Sequence, residues 1–291
     1  MQINIGLGLN EKFSQHGACT IASVLANADD NDSYHFYVIY DYLSEETIGK
    51  FEKLKKIRPC DIEYIPIDVD NIKDFTQYSN ISNACFFRIK LFELENVDKI
   101  LYLDSDIIVR KNIKPLFSLN IEKYCIAGAK DIIWKTLKDK YNLSEKSIYI
   151  NTGVLLINIK KTRKTNVLQK IKRFCELHKD KDYGDQDIIN YIFQEQILEF
   201  DIKYNFCYPF QNEYKKEKYD RIAEDPYIIH YITNNKPWNP GSTCFMKSEY
   251  FKYLKRTPYY KNFVESFQID EMSKLFSKLN AIENKINELT N

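Results

Sequence analysis

The chain has 291 residues, of which 44% are hydrophobic, 14% aromatic and 29% charged. These are the proportions of a globular chain with room for one large domain or two modest ones, and they exclude global disorder. Lys and Arg total 42 against 41 Asp and Glu, a formal net charge of +1, so no overall basic field exists to hold nucleic acid.

In chain order, residues 3–9 read as a buried strand and 14–26 as a helix with Ile21, Val24 and Leu25 on its apolar face. Glu11 arrives early and no basic segment precedes it, so the start does not read as a secretory signal. A β-branched and aromatic run at 35–40 predicts a second strand. Ser44, followed by Glu45 and Glu46, predicts an N-cap and a helix to about residue 57. Further expectations are strands at 62–67, 99–103, 148–159 and 227–231, and helices at 83–94, 162–177 and 185–194. Strands alternating with helices of this length predict an α/β domain with a mostly parallel sheet, which binds ligands beyond the carboxyl ends of its strands. No run of about 18 apolar residues occurs, so no transmembrane helix is expected. The seven cysteines contain no CxxC pair. Neither a zinc cage nor a redox dithiol is suggested, and free thiols in a cytoplasmic protein are expected.

The sequence divides at about residue 245. Residues 1–245 form the α/β unit, and 246–291 read as a helical extension. Met272, Leu275, Leu279, Ile282, Ile286 and Leu289 alternate steps of three and four, a heptad seam. That seam suits either a homo-oligomer or a helix lying on its own domain. Lysines and tyrosines interleaved over 247–261 suit either peripheral contact with an anionic membrane or an ordinary solvated helix.

Two motifs carry chemistry. Asp104-Ser105-Asp106 follows the apolar run Lys99-Ile-Leu-Tyr-Leu103. In an extended chain, residues two apart point the same way, so both carboxylates can converge on one hard cation such as Mg²⁺ or Mn²⁺. Alone, the spacing also fits two acids on a turn. His230 opens the string HYITNNKPW, whose imidazole is a fitting third ligand for Mn²⁺ and whose Lys236 offers a point charge to phosphate.

Together with YINTGVLLINIKK, YGDQDIIN and FKYLKRTPYY, these strings resemble glycosyltransferase family 8 over roughly residues 1–260. The resemblance implies a GT-A fold, a Rossmann-like sheet flanked by helices. It implies a retaining hexosyltransferase that moves glucose or galactose from a UDP-sugar to a glycan, glycolipid or glycoprotein acceptor, on a bacterial surface glycan such as lipopolysaccharide. By the same resemblance, Asp104, Asp106 and His230 are the ligands of Mn²⁺ or Mg²⁺, and Lys236 touches the diphosphate. Arg88, Ser105, Asp131 and Asn151 surround the donor, Gly8 and Asn10 lie in the loop that holds uracil and ribose, and Gln186 and Asp185 sit beneath the sugar as the catalytic pair. The chain departs from the family where an acidic residue near position 8 contacts uracil. Here the loop reads Gly6-Leu-Gly-Leu9, and a backbone group or Glu11 is the expected substitute. Taken singly, the same residues also have bland readings: Arg88 as a surface partner of Glu93 or Glu95, and Asp185 as a helix cap. A non-catalytic nucleotide-binding scaffold of the same fold and a metal-dependent nucleotidyltransferase remain as alternative functions.

Overall fold

The structure, a computed structural model, describes residues 1–69, 83–131, 138–179, 183–207 and 216–266. The heptad seam at 272–289 lies outside that set.

A seven-stranded sheet forms the frame. Its strands are β1 (Gln2–Gly8), β2 (Ser33–Tyr40), β3 (Asp61–Pro66), β4 (Ile100–Leu103), β6 (Ile126–Lys130), β7 (Ile150–Ile157) and β8 (Ile197–Glu199), in the order β3-β2-β1-β4-β7-β6-β8. Every neighbouring pair is parallel except those made by β7, which runs antiparallel to both β4 and β6. A second sheet joins β5 (Ile107–Val109), β9 (Phe206–Cys207) and β10 (Ile228–His230) in the order β5-β10-β9. The mostly parallel, helix-flanked α/β architecture expected from the sequence is present.

Both faces of the large sheet are covered, which is why its strands are apolar on both sides. Alternate side chains go to opposite cores. On β4, Leu101 and Leu103 join one core while Ile100 and Tyr102 join the other; on β7, Val154 and Leu156 separate from Leu155 and Ile157 in the same way. Helix Ser14–Ala26 packs in the first core; helices Val167–Leu177 and Asp185–Ile192 pack in the second.

Local boundaries follow from side-chain caps. Ser44 Oγ accepts from Thr47 N and opens helix Glu45–Glu52 as expected, but the helix tightens into 3₁₀ turns at Lys53–Lys56. The single helix expected over 162–177 is two pieces, Ile159–Thr162 and Val167–Leu177. They are separated at Asn166, which sits in the left-handed region at φ 47° and serves as the N-cap of the second; asparagine tolerates that conformation better than most residues. Residues Asn83–Glu93 form 3₁₀ turns. The sequence reading passed over β5, β6, β8 and β9, which are two to five residues long. β6 reads Ile-Ala-Gly-Ala-Lys and carries little β-propensity.

Helix Lys247–Leu254 packs on helix Ser14–Ala26, with Tyr250, Tyr253 and Leu254 buried in the first core. No helix among the described residues is long and apolar enough to cross a membrane. All seven cysteines are free.

Candidate active site

The carboxyl ends of β1 and β4, the start of β7 and the end of β10 meet at one edge of the sheets. Asp104 and Asp106 lie on the turn between β4 and β5, so their convergence comes from a turn rather than from a continuously extended strand. His230 ends β10, which pairs antiparallel with β5 and sets His230 against Ile107. Its Nε2 lies 3.2 Å from Asp106 Oδ1 and 3.6 Å from Asp104 Oδ2. One ligand atom from each of the three residues falls within 4.8 Å of the others. Two carboxylate oxygens and one imidazole nitrogen are a donor set that suits Mn²⁺ or Mg²⁺, so the residues present fit the expected ion.

The turn is held from behind. Thr20, on helix Ser14–Ala26, donates its hydroxyl toward the carbonyls of Ile107 at 2.8 Å and Ser105 at 3.2 Å. Ser23 Oγ accepts from Val109 N. Ser105, expected near the donor, lines the cleft between the two acids, and its Oγ donates to Gly8 O at 3.1 Å. It ties the acidic turn to β1. Gly8 lines a cleft of about 190 Å³ with Cys85, Arg88, Asp104, Asp106 and Lys236. Two larger hollows, of about 720 and 610 Å³, lie away from these carboxylates; the smaller cleft is the relevant one because the charged groups converge there.

Arg88 is buried and is not a surface partner of Glu93 or Glu95. Its guanidinium donates to Asp104 Oδ1 at 2.8 Å and to Thr152 O at 2.6 Å, and it lies 2.9 Å from Asp185 Oδ2. Burial works against its charge, but the two carboxylates win and raise its proton affinity further. Asp185 occupies the first position of helix Asp185–Ile192, whose N-cap is Gly184. Burial raises the Asp185 carboxyl to about 6, beyond what Arg88 offsets, with Asp104 and Asp187 adding repulsion. Burial likewise opposes charge on Asp106, but His230 and Lys236 hold it well below the usual carboxylate range. Burial would push the His230 ring down; the Asp106 carboxylate drives it up to about 10. Lys236 Nζ lies 2.6 Å from Asp106 Oδ2 and also reaches Tyr231 O.

A second set surrounds Asp131, whose Oδ2 accepts from Asn151 at 3.3 Å and from Gln186 at 3.2 Å. Gln186 Oε1 in turn accepts from Thr152 N. The carboxamides of Asn151 and Gln186 therefore meet one carboxylate, beside the Arg88 contacts.

Two residues of the first loop are engaged elsewhere. Asn10 Oδ1 accepts from Phe13 N and caps a 3₁₀ turn. Glu11, the expected substitute for an acidic uracil contact, binds Ser44 N and Oγ through one oxygen each and Thr47 Oγ1 at 2.7 Å. It anchors the next helix instead, because Ser44 and Thr47 present three donors to it at once.

Four supporting residues escaped the sequence reading. Tyr102 donates its hydroxyl to Asp104 Oδ1 at 2.7 Å; the period-two rule, two residues back along β4, would have found it. Asn205 Oδ1 pairs with His230 Nδ1 at 2.9 Å, while its amide donates to Asn151 Oδ1 at 2.8 Å. Nothing in its sequence surroundings marks it. Gly153 leaves room for the imidazole: a Cβ there would lie 2.1 Å from His230 Cε1 and 2.9 Å from Asp104 Oδ2. Its place in the NTG string was the available signal. His16 stacks on Trp238 beside Lys236, and no motif announced it.

The sequence pattern of the family described as Glycosyl transferase family 8 matches residues 4–241. General stress protein A of Bacillus subtilis is 25% identical over 85% of this chain and 91% of its own. A lipopolysaccharide 1,2-glucosyltransferase of Escherichia coli is 27% identical over 89% of this chain and 79% of its own, and a lipopolysaccharide 1,3-galactosyltransferase of Salmonella typhimurium is 28% identical over 87% and 78%. Among solved structures, the galactosyltransferase LgtC, in complex with donor and acceptor sugar analogs, superposes with a TM-score of 0.78 at 24% identity, covering 88% of this chain and 96% of LgtC. That likeness is one of fold.

Proposed function

Because this chain belongs to glycosyl transferase family 8, we propose that it is a retaining hexosyltransferase moving glucose or galactose from a UDP-sugar to an acceptor hydroxyl on a bacterial surface glycan. The observation that carries the reading is the convergence of Asp104, Asp106, His230 and Lys236 at one sheet edge. Relatives named as lipopolysaccharide glucosyl- and galactosyltransferases support the substrate class. The catalytic unit is residues 1–245. The segment from 246 onward docks on it through helix Lys247–Leu254, whose tyrosines Tyr250 and Tyr253 are buried, so membrane contact would fall to its lysines. Residues 267–291 would supply any self-association. We place the protein at the cytoplasmic face, where activated sugars are consumed.

Asp104, Asp106 and His230 would hold Mn²⁺ or Mg²⁺, which when bound supplies a Lewis acid for the departing diphosphate. Asp104 is oriented by Arg88 and Tyr102, and His230 by Asn205. Such outer partners fix ligand geometry. Lys236 offsets negative charge that grows on the leaving group. Asn151, Asp131 and Gln186 present a carboxylate and two amides to the sugar hydroxyls. Gln186 is a poor nucleophile, because a neutral amide brings no charge to a developing bond. Asp185 is nearly buried and faces Arg88. Both facts favour a front-face transfer in which the leaving phosphate oxygen accepts the acceptor's proton.

Calorimetric titration of UDP with and without Mn²⁺, on the wild type and on Asp106→Ala, tests the reading, followed by hydrolysis of UDP-glucose and UDP-galactose. The expected result is Mn²⁺-dependent UDP binding that the substitution abolishes, with the faster hydrolysed sugar naming the donor. No UDP binding in either condition would overturn it and restore the scaffold alternative.

A further inference from the structure

Lys236 lies on a segment without regular structure, between β10 and helix Lys247–Leu254. Its place there depends on what its neighbours rest on. The next residue is Pro237, whose ring fixes one backbone torsion, and then Trp238. The Trp238 indole lies flat on the His16 imidazole, with centroids 3.6 Å apart and planes at 18°. Tyr250 closes the group from a third element. Its hydroxyl accepts from Gln15 Nε2 at 3.0 Å and lies 2.8 Å from His16 Nδ1, and its ring leans on Trp238 at 5.2 Å. The imidazole Nδ1 and the tyrosine hydroxyl share this bond, which either imidazole tautomer can form. Burial keeps this ring neutral, holding it down to about 3. So three segments, the first turn of helix Ser14–Ala26, the Lys236 segment and helix Lys247–Leu254, meet at one stacked pair.

We propose that His16 is a positioning residue that, through Trp238, sets where the Lys236 ammonium is presented to the donor's diphosphate. The inference rests on the nucleotide-sugar reading above. The His16 ring packs on Phe13, Trp238 and Tyr250, and it meets Asp106 and Lys236 only through their charge. It acts on the site through Lys236, whose separation from Trp238 is one proline and whose ammonium is 5.9 Å from the Trp238 ring. A purely structural core histidine would lower stability and touch all site functions alike. A positioning residue loses its effect once the group it positions is gone.

The test is a double-mutant cycle between His16→Ala and Lys236→Ala, read by calorimetry of UDP in the presence of Mn²⁺ and by Mn²⁺ binding alone. His16→Ala alone is expected to weaken UDP about tenfold while Mn²⁺ affinity stays within about twofold, and to cost less than about twofold in the Lys236→Ala background. His16→Phe, which keeps a ring on Trp238 but not the bond to Tyr250, should recover most of the lost affinity. Trp238→Leu is carried through the same cycle, so that poor folding of His16→Ala still leaves the question decided. If either substitution weakens UDP equally with and without Lys236, or not at all, the inference is overturned while the nucleotide-sugar reading stands. If the wild type binds no UDP, the reading fails and the inference falls with it.

Discussion

Gly153 and Tyr102 show how much of the candidate site rests on residues that would never touch a donor. A methyl group at 153 would occupy the place of the His230 ring edge, and the neighbour that must yield is a buried imidazole already braced by Asn205. Gly153→Ala is therefore expected to reduce Mn²⁺-dependent UDP affinity by at least about tenfold, or about 1.4 kcal/mol, with the far-ultraviolet circular dichroism unchanged. Tyr102→Phe removes the hydroxyl that fixes Asp104 without changing packing. Loss of an outer partner of this kind weakens metal binding about ten- to a hundredfold, and direct Mn²⁺ titration of the variant checks it. The Asp104, Asp106 and His230 cluster was legible because acids two apart after an apolar run, and a histidine before Lys-Pro-Trp, are local patterns. Asn205 was not legible, because its partners His230 and Asn151 are brought to it only by the pairing of β9 with β10 and by the start of β7.

At the level of elements, the helix boundaries set by caps were readable and the short strands were not. Ser44 announces its helix; Asn166 breaks one that periodicity alone runs straight through. Strands of two or three residues such as β9 and β5 exist because a neighbour pairs with them, a fact that lies outside their own sequence. The helix Ser14–Ala26 braces β5 through Thr20, a buried hydroxyl aimed at two carbonyls. Thr20→Val keeps the shape and leaves those acceptors unpaired, which costs about 1–3 kcal/mol, measurable as a lower denaturant midpoint. Glu11 joins the first loop to helix Glu45–Glu52. Burial raises its carboxyl, but the hydrogen bonds from Thr47 and Ser44 more than offset this and leave it below its ordinary value. A depressed carboxyl contributes stability above its unfolded value and loses it as pH falls through the folded one. The melting temperature of Glu11→Gln should therefore fall below wild type at neutral pH, and the difference should close below about pH 4. A difference that does not change with pH would show that charge on Glu11 is not what holds the helix.

For the whole molecule, the alternation of strands and helices was enough to give the α/β class, because a parallel sheet requires covered faces and right-sized crossovers. What it could not give was the direction of β7, since strand direction is decided by where the connecting chain returns. That reversal brings the NTG string at the start of β7 beside the end of β4, where Gly153 O accepts from Asp104 N at 2.8 Å. Binding at a site drawn from so many elements should register on the fold as a unit. A ligand held only by the native state stabilises it by about 2.7 kcal/mol at a hundredfold excess over its Kd. UDP and Mn²⁺ together should thus raise the melting temperature of the wild type, and the rise should vanish in Asp106→Ala.

The order of the small sheet bears on how the chain is made. β10 lies between β5 and β9 and pairs with both. Among the described residues it is also the last strand to leave the ribosome. Until it does, β5 and β9 have no common partner, and β5 follows the acidic turn with an open edge. A nascent chain that stops short of Ile228 would already own the strands of the large sheet, yet would hold neither the small sheet nor His230. The ability to retain a divalent ion would then mark completed synthesis, and a chelating dye added to stalled chains of increasing length should lose its ion to the protein only once His230 has emerged.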